Sequence, residues 1–272
     1  MDIKVIATDM DGTFLNQEND YDRERFSKIF TKLQERDIKF VPISGNQYYQ
    51  IRSFFPHLEQ ELTIVSENGA YIVEQGKVIK SHRLPLDLVR AVLDYLLKHN
   101  LEMELSLCGE KATYILDKVE PEVKDFFAIY SHRLEMIESF HQLPDDHFLK
   151  FSFNTPLEMT QKIIDDLHQV MGNQIEAVTS GHGNIDIIAR GINKGSAMSY
   201  LLKHWGYSPE QLLAFGDGNN DLQMLELAKY GYAMANGSKE IKEITNFRAP
   251  DNNKSGVLQV IEEYLEKIEK DN

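Results

Sequence analysis

The chain has 272 residues, of which 42% are hydrophobic and 26% charged, and a formal net charge of −14 from 29 basic and 43 acidic side chains. That length exceeds one average domain and suffices for two modest cores, and the composition is ordinary for a globular protein. The acidic balance argues against a general nucleic-acid binder, which needs a basic face for phosphates, but a few local cations or a metal can still serve an anionic small molecule.

The single cysteine, Cys108, excludes an internal disulfide and a Cys-rich zinc site and reads as a small apolar filler. No apolar run approaches the ~18 residues of a membrane span. The opening MDIKVIATDM enters a strand-like run at once rather than a long apolar leader, so a cytoplasmic protein without a membrane partner is expected. Oligomeric state is left open.

Residues 3–8, IKVIAT, form a continuous apolar, β-branched run, as in a strand covered on both faces. Residues 21–36 place Phe26, Ile29, Phe30 and Leu33 at helical spacing. IKFVPI at 38–43 is a second buried strand, although Pro42 counts against a central position because it removes a ladder donor. Residues 46–55 are compatible with a helix, LTIVS at 62–66 with a third strand, and AYIVEQGKVIK with a hairpin. This alternation indicates a parallel sheet with crossover helices.

From about residue 84 the pattern changes. PLDLVRAVLDYLLKH, EPEVKDFFAIY and LEMTQKIIDDLHQVM read as helices; LEMELSL, ATYIL, FLKFSFN, QIEAVTS and NIDIIA read as strands. Strands in adjacent pairs with helices between them suit an α+β unit with an antiparallel sheet. After about 190 the first style resumes, with a helix over 193–205, the strand LLAFG, the helix DLQMLELAK, the strand YGYAMA and a closing amphipathic helix VLQVIEEYLEKIEK. The expected fold class is α/β: a Rossmann-like parallel-sheet core over 1–83 and 188–272, split by an inserted α+β domain over 84–187.

Four motifs carry chemistry. Asp9-Met10-Asp11-Gly12-Thr13 follows the first strand, the edge at which open α/β sheets bind ligands. Gly12 permits a turn that aims both carboxylates into a crevice. One could attack an electrophile while the other handles a proton, or both could help hold a hard cation. Gly216-Asp217-Gly218-Asn219-Asn220-Asp221 follows the strand LLAFG in the same way; Asp221 could also cap the helix after it. If the two strands are neighbours, the converging carboxylates repel unless a cation neutralises them, and oxygen-only ligands suit magnesium. Lys194, within Asn193-Lys194-Gly195, stands at a helix start, against the macrodipole preference for acids, and so hints at an anion. Ser44-Gly45, between a buried strand and a possible helix, offers a hydroxyl and backbone N–H groups as a phosphate seat. Together these make a phosphoryl-transfer site, where the protein mainly positions the group and neutralises charge. Neither GxxxxGK[ST] nor GxGxxG occurs.

In this order, DMDGTFLN, Ser44-Gly45, Lys194 and GDGNND resemble the four motifs of the haloacid dehalogenase superfamily of phosphatases. Ser66-Glu67-Asn68-Gly69-Ala70 and an insertion between the second and third motifs are similar to the Cof-type branch with an α+β cap. With SGNQYYQ and VTSGHGNID, the set closely resembles bacterial sugar phosphatases of that branch. The resemblance implies that Asp9 is the nucleophile and that Asp11 protonates the leaving oxygen, then activates water. It implies Mg2+ on the Asp9 carboxylate, the Asp11 main-chain carbonyl and Asp217, and phosphate on Ser44, the Met10 and Gly45 amides, Lys194 and Asn220, with Asp221 orienting Lys194 or a metal-bound water. The expected function is a Mg-dependent phosphatase acting on a small sugar phosphate; a phosphomutase or a non-catalytic phosphate-binding protein are the alternatives.

Asn46 departs from the family, where arginine is frequent. A neutral amide replaces a bidentate fork for a second anion, so a neutral, hydroxyl-rich leaving group is expected. Tyr48 and Tyr49 could offer hydroxyls and a flat face, with only one of them pointing inward. The turn TSGHGNID, through Thr179, His182 or Asn184, is the candidate specificity element of the cap, whereas Phe126, Phe127 and Phe151 read as core.

Overall fold

The structure is a computed structural model that describes residues 2–181 and 183–271. In chain order it runs β1 (Val5–Asp9), α1 (Arg23–Gln34), β2 (Lys39–Ile43), α2 (Tyr48–Ser53), β3 (Thr63–Ser66), β4 (Tyr71–Glu74) and β5 (Lys77–Ser81). Next come α3 (Leu86–Lys98), β6 (Leu105–Gly109), β7 (Thr113–Leu116), α4 (Pro121–Tyr130), β8 (Leu134–Ile137), β9 (Phe148–Asn154), α5 (Leu157–Met171), β10 (Ile175–Gly181) and β11 (Asn184–Ala189). The chain closes with α6 (Lys194–Trp205), β12 (Leu212–Gly216), α7 (Leu222–Leu227), β13 (Tyr230–Met234), α8 (Lys239–Ile244), β14 (Phe247–Ala249) and α9 (Gly256–Asp271).

The larger sheet has the order β14-β13-β12-β1-β2-β3-β4-β5. It is parallel from β14 to β3 and ends in the expected antiparallel hairpin β4–β5. Strand alternation sorts β1 between two apolar layers. Ile6 joins Phe26, Phe30 and Ile261 of α1 and α9, while Val5 and Ala7 join Met198 and Leu201 of α6. Covering on both faces explains why β1 is apolar without a break. Asp22 starts α1 by accepting from the Arg25 N–H at 3.0 Å, an N-cap that satisfies one orphan donor.

Pro42 lies in an internal strand, contrary to its sequence signal. The β2–β3 ladder tolerates it because it is short, with the single register pair Ile43–Val65. Beyond Pro42 the ladder is continued by the Ser44 N–H donating to Val65 O at 3.0 Å.

The second sheet has the order β10-β11-β9-β6-β7-β8. Its pairings are antiparallel except for β7–β8, which is parallel. Its last strand in sequence, β11, ends at Ala189 and so runs across residues 187 and 188. The alternation in FLKFSFN holds from Lys150 onward, after a register shift opposite Phe148. Phe151 and Phe153 enter an apolar cluster with Leu93 and Leu96 of α3 and Leu167 of α5, and Lys150, Ser152 and Asn154 take the opposite face.

Candidate active site

Strands β1, β2, β3 and β12 are parallel neighbours, so their C-terminal ends deliver Asp9, Ser44, Glu67 and Asp217 to one edge. After Asp9 the chain makes a single π-type turn over Met10–Phe14, closed by the Leu15 N–H donating to Met10 O at 2.9 Å. Gly12 has φ +74°, and a Cβ there would stand 2.5 Å from Asp217 Oδ2. Only glycine meets both demands. The same turn aims the Thr13 hydroxyl at Asp217 Oδ1, 2.8 Å away. The two aspartate motifs, distant in sequence, are therefore packed against each other.

Lys194 is the first residue of α6. Asn193 caps that helix by accepting from the Ser196 N–H at 2.8 Å. The Lys194 side chain is fully buried, and its Nζ lies 2.5 Å from Asp9 Oδ1 and 2.6 Å from Asp221 Oδ1. A lysine placed against the helix dipole is thus held by two carboxylates. Asp221 does not cap α7 with its side chain. Its Oδ2 instead accepts from the Asp217 and Gly218 N–H groups, each at 3.0 Å.

Carboxylate oxygens of Asp9, Asp217 and Asp221 fall within 4.8 Å of one another. Burial, offset in part by Lys194, pushes the Asp9 carboxyl up, and the charges of Asp221, Asp217 and Asp11 add to the rise. Asp217 is pushed up to about 6, by burial first and by Asp221 second. Burial also raises Asp11, against the hydrogen bond from Asn46. Burial opposes the Lys194 charge, but Asp221 and Asp9 outweigh it and hold the ammonium above its ordinary value. An oxygen-only donor set whose acids resist ionising together fits a hard cation such as Mg2+. Both Asp221 oxygens are already occupied by Lys194 and backbone N–H groups, which leaves Asp9 and Asp217 as the carboxylates open to such an ion.

The stretch after β2 differs from a simple phosphate seat. Helix α2 starts only at Tyr48, and three of the preceding amides are engaged: Ser44 N–H with Val65 O, Asn46 N–H with Ser44 Oγ and Gln47 N–H with Tyr130 O. Ser44 is nonetheless buried and lines the site, as do Gly45 and Asn46. Asn46 Nδ2 donates to Asp11 Oδ2 at 2.7 Å. Neither tyrosine points into the site. Tyr48 is buried in the core against Tyr71, and the Tyr49 ring packs under the Arg133 guanidinium, 3.5 Å from the ring centre. The turn into α2 swings both rings away and leaves Gln47 on the wall. Gln47 bridges to the second sheet, donating to Thr113 Oγ1 at 3.0 Å and Arg133 O at 3.1 Å and accepting from the Arg133 N–H at 2.8 Å.

A cavity of about 470 Å³ lies between the two sheets. Asp9, Asp11, Ser44, Asn46, Asp217 and Asn220 line its floor. The main chain of Met10 belongs to the π-type turn, while its side chain is buried in the core. Asn220 Nδ2 donates to Asn68 Oδ1 at 3.2 Å. Of the residues singled out in TSGHGNID, Asn184 lines the cavity, Thr179 lines a neighbouring one of about 450 Å³, and His182 lies outside the described residues. Phe126 of α4 is a half-buried wall residue of the cavity rather than core; Phe127 is buried as expected and also borders the cavity, and Phe151 is core as expected. Cys108 is buried but also faces the cavity.

Sequence reasoning missed an ion cluster on the roof of this cavity. Lys150 Nζ lies 3.1 Å from Glu67 Oε2 and 3.3 Å from Asp186 Oδ2, and donates to Gly45 O. Asn68 Nδ2 donates to Asp186 Oδ2 at 2.7 Å. The available signal was a charge at a polar position of two otherwise apolar-alternating strands, FLKFSFN and NIDIIA.

A family profile for haloacid dehalogenase-like hydrolases matches residues 6–261, and the chain belongs to that family. It is 38% identical over 265 residues to the 5-amino-6-(5-phospho-D-ribitylamino)uracil phosphatase YbjI of Escherichia coli, covering 97% of each chain. It is 25% identical over 267 residues to the phosphatase YcsE of Bacillus subtilis, which carries the same substrate name, again over 97% of each. Among solved structures, SMU.1108c from Streptococcus mutans shares 39% identity with a TM-score of 0.92, over 97% of this chain and 99% of that one. The class of activity that the family and these relatives support is that of a phosphatase. Among the described residues, no helix is long and apolar enough to cross a membrane.

Proposed function

We propose that the protein is a Mg-dependent phosphatase of small sugar phosphates that works through an aspartyl-phosphate. The observation that carries this reading is the packing of Asp9 against Lys194, Asp11 and Asp217 at one strand edge beneath the cavity. In the proposed reaction an Asp9 oxygen attacks phosphorus and the ester oxygen leaves with its bonding electrons. Asp11 supplies the proton that makes it an alcohol. Asp11, now a carboxylate, takes a proton from water, which attacks the phosphorus of the intermediate and frees Asp9 and inorganic phosphate. Asn46 holds the Asp11 carboxyl in place throughout.

Lys194 neutralises charge at Asp9, and Ser44, Asn220 and the Met10 and Gly45 amides bind phosphate oxygens. The Asp9 and Asp217 carboxylates and the Asp11 main-chain carbonyl hold Mg2+, which supplies charge neutralisation for the phosphoryl group when bound. Asp221 serves as the orienting partner of Lys194.

The second sheet and its helices, roughly residues 84–187, form the cap over this site. A phosphorylated ribityl chain, the group printed in the names of the relatives, meets the expectation of a neutral, hydroxyl-rich leaving group. A cytoplasmic location belongs to the proposal and rests on the sequence alone. The test is a phosphate-release screen across phosphorylated sugars, sugar alcohols and nucleotides with Mg2+ present. Stoichiometric phosphate from sugar or polyol esters is expected. Substoichiometric phosphate with a rearranged ester would favour a mutase, and none from any member a non-catalytic binder.

A further inference from the structure

The cavity face of the second sheet is built as a recognition surface. Strands β11, β9 and β6 are adjacent, and their register aligns Asp186, Ser152 and Ser106 in one cross-strand row. Lys150 and Cys108 form the next row on the same face. With Asn184, all six line the cavity, while the intervening Phe151, Phe153, Ile185 and Ile187 point the other way into the apolar cluster. This strand face turns Asp186, Ser152, Ser106, Lys150 and Asn184 toward the cavity, with Cys108 and Ile188 flanking Lys150 in its row, and burying polar groups costs free energy unless they are satisfied.

They are not all satisfied. Asp186 Oδ2 accepts from Asn68 and pairs with Lys150, but Asp186 Oδ1 is buried with no donor among the described residues. Glu67 Oε2, in a side chain only 2% exposed, likewise accepts no hydrogen bond, although Lys150 Nζ stands 3.1 Å from it as an ion partner. Each rung of the row is otherwise tied: Asn184 Nδ2 donates to Ser152 Oγ at 3.2 Å, and Ser106 Oγ donates to Ser152 O at 3.2 Å. The surface therefore holds fixed hydroxyls and an amide, and it is short of donors where its carboxylates lie.

We propose that Asp186, supported by Ser152, is a specificity-determining residue that accepts hydrogen bonds from the hydroxyls of the leaving group. The inference rests on the phosphatase reading and deepens it. Carboxyl oxygens of Asp186 and Glu67 left without donors suit donor-rich neutral groups and disfavour a second phosphate or a carboxylate, which brings acceptors only. Asn68 fixes the height of Asp186 above the floor, since it donates to Asp186 and accepts from Asn220 beside the phosphate site. Phe126 and Tyr130 on the α4 wall give an apolar face to whatever the hydroxylated segment carries.

The test compares kcat/KM for ribitol 5-phosphate, which carries several hydroxyls, with that for p-nitrophenyl phosphate, whose leaving group carries none, both in saturating Mg2+. Asp186→Asn keeps the shape and one acceptor but loses the charge. It is expected to lower the ribitol-phosphate to nitrophenyl-phosphate ratio about tenfold, the size of a hydrogen bond to a charged group. Ser152→Ala, which leaves every charge in place, is expected to lower the same ratio by a smaller factor. Equal losses on both esters in both variants would overturn the assignment, because they would mark a purely structural role. Absence of turnover of either ester by the unaltered enzyme would overturn the phosphatase reading and this assignment with it.

Discussion

The amide of Asn46 donates to the carboxylate of Asp11 at 2.7 Å. This contact joins the stretch after β2 to the residue proposed to move protons. On the proposed mechanism residue 46 acts on the chemistry through Asp11, and the neutral amide holds a carboxyl that burial pushes above its ordinary value.

Asn46→Ala removes that donor and is expected to lower kcat by about tenfold, the equivalent of one hydrogen bond to an ionisable group, with a smaller effect on KM. Asn46→Arg places a permanent cation beside Asp11 and is expected to shift the substrate ranking from neutral sugar phosphates toward doubly anionic esters. Steady-state kinetics on both substrate classes check this; an unchanged ranking would contradict the role given to residue 46.

Asp221→Ala should be severe for stability. Lys194 and Asp221 are both fully buried, and the substitution also strips the acceptor from the Asp217 and Gly218 N–H groups. Breaking a buried pair from one side costs about 3–5 kcal/mol, measurable as a lowered midpoint in urea unfolding.

The metal-free protein should lose stability at Asp217 as pH rises. The folded-state pKa of Asp217 is raised from 3.8 to about 6, so the folded chain holds that proton more tightly than the unfolded one. The favourable contribution is present at low pH and is lost across the window from 3.8 to about 6. Relative to Asp217→Asn, wild type is therefore expected to lose stability over that window. Magnesium is expected to raise Tm more near neutral pH than at about pH 5, because protons and the metal compete for the same oxygens. Thermal unfolding of both proteins with and without Mg2+ tests the sign of each effect.

Gly12→Ala combines a left-handed φ with a clash against Asp217 Oδ2. The backbone term alone is about 1–2 kcal/mol, and the displaced Asp217 should reduce activity beyond what the stability loss explains. Denaturant unfolding and kcat measured on the same preparation separate the two.

How much of this was visible in the sequence follows from how local each feature is. Asp9, Asp11, Ser44, Asp217 and Lys194 were legible because each stands next to a strand end or a helix start that its neighbours announce. The parallel core was legible from apolar runs alternating with helical spacing. Pro42 misled because a ladder signal is local, whereas the shortness of the β2–β3 pairing is a property of two strands. The direction of Tyr48 and Tyr49 depends on where α2 begins, a boundary that propensity fixes poorly. β8 and β14, four and three residues long, carry too short a pattern to read. The Lys150–Glu67–Asp186 cluster draws on three separate segments, so only the tertiary fold brings it together.

The central claim is that Asp9 is the attacking group. Its most direct measurement is acid-quenched mass spectrometry of the protein during turnover, alongside phosphate release by Asp9→Asn with Mg2+ present. The account predicts a phosphoryl adduct on Asp9 in the unaltered enzyme, and no adduct and no turnover in a folded Asp9→Asn protein. Sustained turnover by Asp9→Asn, or a phosphoryl group found on any other residue, would contradict it.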